Sequence, residues 1–200
     1  MTAPTGAPYP ASFTLDPPER IANWRPLVHW LLAIPHMVIL YVVSFVAQVV
    51  GFVSWLVILF TGKLPEGMAG VQMLYLRYTA RVYAYAGFLV EEYPPFTFAT
   101  TAEDPGDAGP LRVEFQPALE GRNRLTTFFR LLLAIPHLVV LAIVFLGVAI
   151  CWVIAFFAVL VTGRWPAGLR DFVIGALRWN LRANAYVFLL TDEYPPFSLE

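Results

Sequence analysis

Two long stretches of the chain carry no formal charge. Between Arg25 and Lys63 lie 37 residues without Asp, Glu, Lys or Arg, and between Arg130 and Arg164 lie 33 more. A membrane helix needs about 20 apolar residues, because it rises 1.5 Å per residue through a hydrocarbon core of about 30 Å. Each stretch is long enough for one span and too short for two joined by a turn. A proline divides each of them, Pro35 and Pro136, inside the repeated string Leu-Leu-Ala-Ile-Pro-His at 31–36 and 132–137. A proline within a helix removes one backbone bond and tends to bend it. The pattern therefore predicts a short helical piece near the interface before each proline, then a span over about 36–60 and 137–161.

A second helical stretch follows each run, over about 67–90 and 168–191. It is mostly apolar or aromatic but carries Arg at i and i+4, with Tyr one turn further on. Arg77, Arg81 and Tyr85 in the first, and Arg178, Arg182 and Tyr186 in the second, form one polar stripe. Asp171 and Gly175 extend it in the second. Each central Arg costs about 2.5–3.5 kcal/mol on insertion scales, which favours a helix at the interface. Three features favour a span. The turn at 61–67 is short, as in an antiparallel hairpin. Asn180 and Asn184 lie opposite the stripe, so the second helix has no clean face to lay on lipid. Residues 11–15 and 111–115 alternate apolar with polar, like short strands. The Tyr-Pro-Pro-Phe tails at 93–96 and 194–197 would pair with those strands if both ends of a unit lie on one side of the membrane. The expected architecture is an all-α membrane protein of two tandem helical hairpins. It has about four transmembrane helices, a proline-kinked first helix in each unit, and short strands at the repeat ends.

The two halves are copies. The same residues recur at a constant offset of 101, among them Thr61-Gly62 with Thr162-Gly163 and Arg77 with Arg178. From Leu31 to Phe96, 25 of 66 positions are identical to their partners without a gap, a strong sign of duplication. A Thr, Glu, Asp, Pro and Gly stretch at 100–110 reads as a linker. The units are then a flexible lead at 1–8, a membrane repeat at 9–98, a linker at 99–110 and a second membrane repeat at 111–200.

Composition agrees with this reading. The chain is 58% hydrophobic and 14% charged, against about 45–50% and 25% for an ordinary soluble domain. A 200-residue chain cannot hide that excess in one soluble core, and disorder needs the opposite balance. The net charge of −1 speaks against a nucleic-acid binder. The single Cys151 allows no intrachain disulfide and reads as a small buried hydrophobe.

Candidate chemistry is sparse. There is no Gly-rich phosphate loop, no Ser-His-Asp order in a suitable setting and no metal-ligand spacing. Glu91, Glu92, Asp192 and Glu193 read as charge at helix ends. The expectation is no enzyme and no cofactor. The arginine stripe has three open roles: structural hydrogen bonding inside the bundle, contact with lipid headgroups, and the lining of a substrate or ion path. Arg77, Arg81, Tyr85, Arg178, Arg182 and Tyr186 are the candidate lipid- or partner-binding residues. His36 and His137 are candidate interfacial polar groups, bonding carbonyls that the prolines free. His29 is matched by Arg130 at the membrane edge.

In combination, Leu-Leu-Ala-Ile-Pro-His, a long apolar run, Thr-Gly-[Lys/Arg]-x-Pro-x-Gly, Arg-x-x-x-Arg and a closing [Asp/Glu]-Glu-Tyr-Pro-Pro-Phe resemble a bacterial membrane family called domain of unknown function 4389. The resemblance covers both copies, about 9–98 and 111–200. The second is closer, with Gly168-Leu169-Arg170-Asp171-Phe172. The first has Gly67-Met68-Ala69-Gly70-Val71 and lacks the Arg-Asp pair. The resemblance implies a membrane location and tandem repeats, and no activity.

The leading expectation is an accessory or structural membrane protein. Its partners would be lipid (anionic lipid included), another membrane complex or its own copies. The alternative is a small transporter or channel of two parallel repeats with an arginine-lined path. The chain would be multi-pass in the plasma membrane. Its flanking cations, Arg20, Arg25, Arg112, Arg122, Arg124 and Arg130 against Lys63, Arg164 and Arg170, would place both termini in the cytoplasm.

Overall fold

The structure is a computed structural model describing residues 9–107 and 109–200; the expected flexible lead at 1–8 lies outside the described residues. The elements run β1 (Ala11–Leu15), α1 (Arg25–Thr61), α2 (Glu66–Ala86), β2 (Leu111–Phe115), α3 (Arg124–Phe128), α4 (Arg130–Thr162) and α5 (Ala167–Val187). Each unit is thus a strand followed by a long apolar helix and a shorter return helix.

The repeated Thr-Gly has a local cause. Gly62 and Gly163 end α1 and α4 at φ of 70° and 66°, the left-handed conformation that glycine adopts without strain. Each Gly N–H closes the helix on Ile58 O or Val159 O. The preceding threonine hydroxyls bond back to Val57 O and Ala158 O. The prolines do not divide the helices as expected. Both α1 and α4 continue through Pro35 and Pro136, since proline removes only one bond of the ladder. Beside the carbonyls they free, Tyr93 and Tyr194 donate to Leu32 O and Leu133 O. The break in the second unit falls earlier. There, α3, capped by the Asn123 side chain, gives way to α4 at Phe129.

The hairpins lie antiparallel to one another. The Ile21 N–H donates to Gly163 O at 2.8 Å, and the Arg122 N–H to Gly62 O at 3.1 Å. The start of α1 therefore meets the end of α4, and the end of α1 meets the approach to α4. This corrects the expectation of parallel repeats. The reason lies in the strands. β1 and β2 pair antiparallel with each other, Phe13 opposite Val113, instead of with the Tyr-Pro-Pro-Phe tails. The ribbon packs on α2 and α5 and not on α1 or α4. Its inner residues, including Phe13 and Val113, are buried. Ser12, Thr14, Arg112 and Glu114 point outward and are exposed.

Burial separates the helices into two kinds. α1 turns Ala33, His36, Ala47 and Ser54 inward and leaves Leu31, Val38, Phe45 and Phe52 exposed. α4 does the same with Ala134, Cys151 and Ala155 inside and Ile143, Leu146 and Phe157 outside. In contrast, α2 and α5 expose no large hydrophobic residue. Among the described residues, α1 and α4 are the two helices long and apolar enough to cross a membrane, where four were expected.

Candidate functional site: the paired arginine helices

The stripe on α2 and α5 is real as a helix face but is not open. Arg77 is 2% exposed and Arg81 3%. Arg77 Nε donates to Val113 O at 3.1 Å, and its two terminal nitrogens reach Ala99 O at 3.1 Å and Thr101 O at 2.9 Å. Arg81 donates to Thr97 Oγ1 at 2.9 Å and to Asp104 Oδ1 at 3.0 Å. The buried Asp104 also accepts from the N–H groups of Gly106 and Val113, each at 2.8 Å. Its other oxygen lies 3.5 Å from Arg77 Nε. Asp107 adds a second carboxylate 2.7 Å from Arg81. Charge-assisted bonds of this kind are about twice as strong as neutral ones and offset part of the cost of burial.

The ribbon explains why arginines stand here. A two-stranded ribbon leaves outward carbonyls and N–H groups on both edges. Arg77 takes up Val113 O on one edge. Arg178 takes up Phe13 O on the other at 3.2 Å. Arg178 also donates to Leu199 O at 3.3 Å, and Arg182 to Ser198 O at 2.6 Å. Each unit's arginine therefore secures the other unit's strand. Gly70 and Gly175 let the tails come close: a Cβ at Gly70 would sit 2.9 Å from Thr100 Cβ, and one at Gly175 2.6 Å from Leu199 O.

The stripe tyrosines face elsewhere. Tyr85 and Tyr186 turn to the long helices. His29 stacks on Tyr85 with centroids 4.1 Å apart, and the Arg130 guanidinium lies 4.0 Å over the Tyr186 ring. The matched pair His29 and Arg130 thus sits on matched tyrosines. His36 and His137, expected at the interface on proline-freed carbonyls, are buried at 0% and 1% exposure. His36 Nδ1 meets the Tyr78 hydroxyl at 2.6 Å, and Trp179 Nε1 donates to His137 Nδ1 at 3.0 Å. An indole N–H only donates, so His137 Nδ1 is an acceptor there. Phe96 and Phe197 stack on the two rings at 4.4 and 3.8 Å. The tail aromatics cover both rings, which the apolar periodicity alone did not indicate.

Sequence reasoning also missed the acids. Asp104 lies in the linker beside Glu103 and Asp107, and nothing in the pattern marks it as the buried one. Asp192 does more than place charge at a helix end. It holds Arg122 Nη2 at 2.8 Å, the Asn123 N–H at 2.9 Å and the Arg130 guanidinium. Burial alone would raise its carboxyl. The Arg122 hydrogen bond, the Asn123 N–H and the two arginine charges outweigh that and hold it below the usual carboxylate range. Glu91 stands at the matching place and accepts from the Ala22 N–H at 2.6 Å. Among the described residues, no group of three or more His, Cys, Asp or Glu is placed to hold a metal ion.

These features define a duplicated helical-hairpin protein, its halves interlocked by exchanged strands and buried arginines. The chain belongs to the family described as Domain of unknown function (DUF4389), whose pattern matches residues 23–97 and again 124–198. No curated protein and no solved structure matches it.

Proposed function

We propose that the protein is an accessory or structural membrane protein that meets lipid through the outer faces of α1 and α4 and performs no catalysis. The observation that carries this reading is the inverted pattern of those helices: mostly small or polar residues inside, with a few aliphatics such as Leu40 and Leu141, and Leu, Ile, Val and Phe outside along their whole length. A soluble helix does the reverse, and small residues at helix contacts suit packing in lipid. Its partners would be lipid, a second membrane protein or another copy of the chain.

The depth of the polar ribbon favours α1 and α4 lying along one leaflet over crossing the bilayer. Tyr78 meets His36, and Gln72 donates to Ala47 O, so Arg77 is level with the middle part of α1. The ribbon it holds is at that level too. Spanning helices would carry the exposed Arg112 and Glu114 near the bilayer centre, at a cost of several kcal/mol. A helix about 10–12 Å across fits within half of the ~30 Å core. In this placement all nine flanking cations stand at one face, which in the proposal is the anionic cytoplasmic one.

Cysteine labelling with an impermeant maleimide tests it in a Cys151→Ala background. Asn23→Cys and Lys63→Cys, at opposite ends of α1, are expected to label from the same side, and Phe45→Cys and Ile143→Cys not at all. Labelling of Asn23→Cys and Lys63→Cys from opposite sides would overturn the one-leaflet placement. A cavity of about 330 Å³ lies between α2 and α5, lined by Tyr75, Thr79, Asn180 and Asn184 among others. None of the four stripe arginines lines it, so the arginine-lined transport path gains no support from it.

A further inference from the structure

We infer that Arg178 and Arg182 form an oxyanion-binding site, filled in the first unit by the chain's own Asp104 and left for a ligand in the second. The internal repeat supplies the template. In the first unit one carboxylate bridges Arg77 and Arg81 and accepts the outward Val113 N–H. In the second unit Arg178 holds the matching strand carbonyl, Phe13 O. Phe13 and Val113 are directly opposed, so the Phe13 N–H also points outward at its own edge. Among the described residues outside the ribbon, none accepts from it.

The carboxylate has no counterpart. Asp104 precedes β2 by seven residues; the same count back from β1 reaches Pro4, and residues 1–8 contain no Asp or Glu. Among the described residues neither Arg178 nor Arg182 makes an ion pair. Arg182 is 8% exposed; its buried Nε, like that of Arg81, has no hydrogen-bond partner among them, so the difference between the units is the absent carboxylate. Burial and the charge of Arg178 pull the Arg182 guanidinium below its ordinary value, with no carboxylate opposing them. At Arg77 burial acts the same way, but Asp104, Asp107 and Glu114 oppose it. Two adjacent guanidinium groups and a strand N–H, with no acid between them, suit an oxygen-bearing anion the size of a carboxylate or phosphate.

Thermal unfolding of the full chain in zwitterionic nanodiscs tests this. Succinate or inorganic phosphate is titrated against chloride at fixed ionic strength, and a parallel arm adds phosphatidylglycerol to the disc. A ligand of the folded state raises the midpoint with concentration. The parent midpoint is expected to rise by several degrees with at least one of the three, and that rise to vanish in Arg182→Gln. A rise with the soluble anions assigns a free oxyanion; a rise with phosphatidylglycerol alone assigns a lipid headgroup. Should Arg182→Gln fail to fold, Arg182→Lys serves instead: it keeps the charge but not the forked geometry, and its anion response is expected to fall well below the parent's. No response to any of the three, or an equal response in the parent and the variant, would overturn the site. Neither outcome depends on how α1 and α4 sit in the membrane.

Discussion

At the scale of single residues, buried charge is the main stabilising risk in this protein. Asp192 lies between Arg122 and Arg130, whose side chains are 0% and 1% exposed. Asp192→Asn leaves two buried cations without their carboxylate, and a loss of about 3 kcal/mol is expected in denaturant unfolding. The same variant fixes the pH dependence. Because the folded carboxyl sits below its unfolded value of about 3.9, its stabilisation is complete above that value and is lost as pH falls through the lowered folded one. The parent is expected to lose that increment on acidification, and Asp192→Asn to lack it from the start. The arginines were legible as a stripe because helix periodicity alone places Arg77 with Arg81 and Arg178 with Arg182. Their acids were not, because Asp104 and Asp192 lie in irregular segments where no period says which way a side chain points.

At the scale of elements, the Thr-Gly ends of α1 and α4 show how one motif serves two contexts. Both glycines are left-handed, so alanine at either is strained by about 1 kcal/mol. A Cβ at Gly62 would meet only the flexible Arg124 side chain at 3.5 Å, whereas one at Gly163 would meet Ile21 O and the Asn23 side chain at 3.0 Å. Gly163→Ala is therefore expected to lower the melting temperature more than Gly62→Ala, and equal losses would contradict the close approach of the Ile21 backbone. The strands were legible to the residue from alternation at 11–15 and 111–115. Their pairing was not, because alternation fixes which face is buried and not which neighbour covers it. That pairing, β1 with β2, in turn sets the antiparallel arrangement of the two hairpins.

At the scale of the whole molecule, the exchange of strands makes the two repeats interdependent. β1 packs on α5, and β2 supplies the carbonyl that Arg77 holds. Trp165 reaches across to Phe88 O at 2.8 Å, and the Leu64 N–H to Leu119 O at 2.7 Å. Cut between residues 107 and 108, the halves are each expected to aggregate when expressed alone and to co-purify as a pair when expressed together. Two separately folded, monodisperse halves on size exclusion would show that the interlock is dispensable.

The sequence by itself determined the two long apolar helices, the duplication and the local elements. Each of these is written in short-range order: charge-free runs, a constant offset of 101, alternation, and a Thr-Gly stop. Only the tertiary structure decided that the copies run antiparallel, that the strands pair across them, and that the arginines face backbone and Asp104. Those outcomes depend on which distant polar groups must be satisfied once buried, and each depends on residues that lie far apart in sequence. The same physics leaves the second unit's arginines without the acid that the first unit carries.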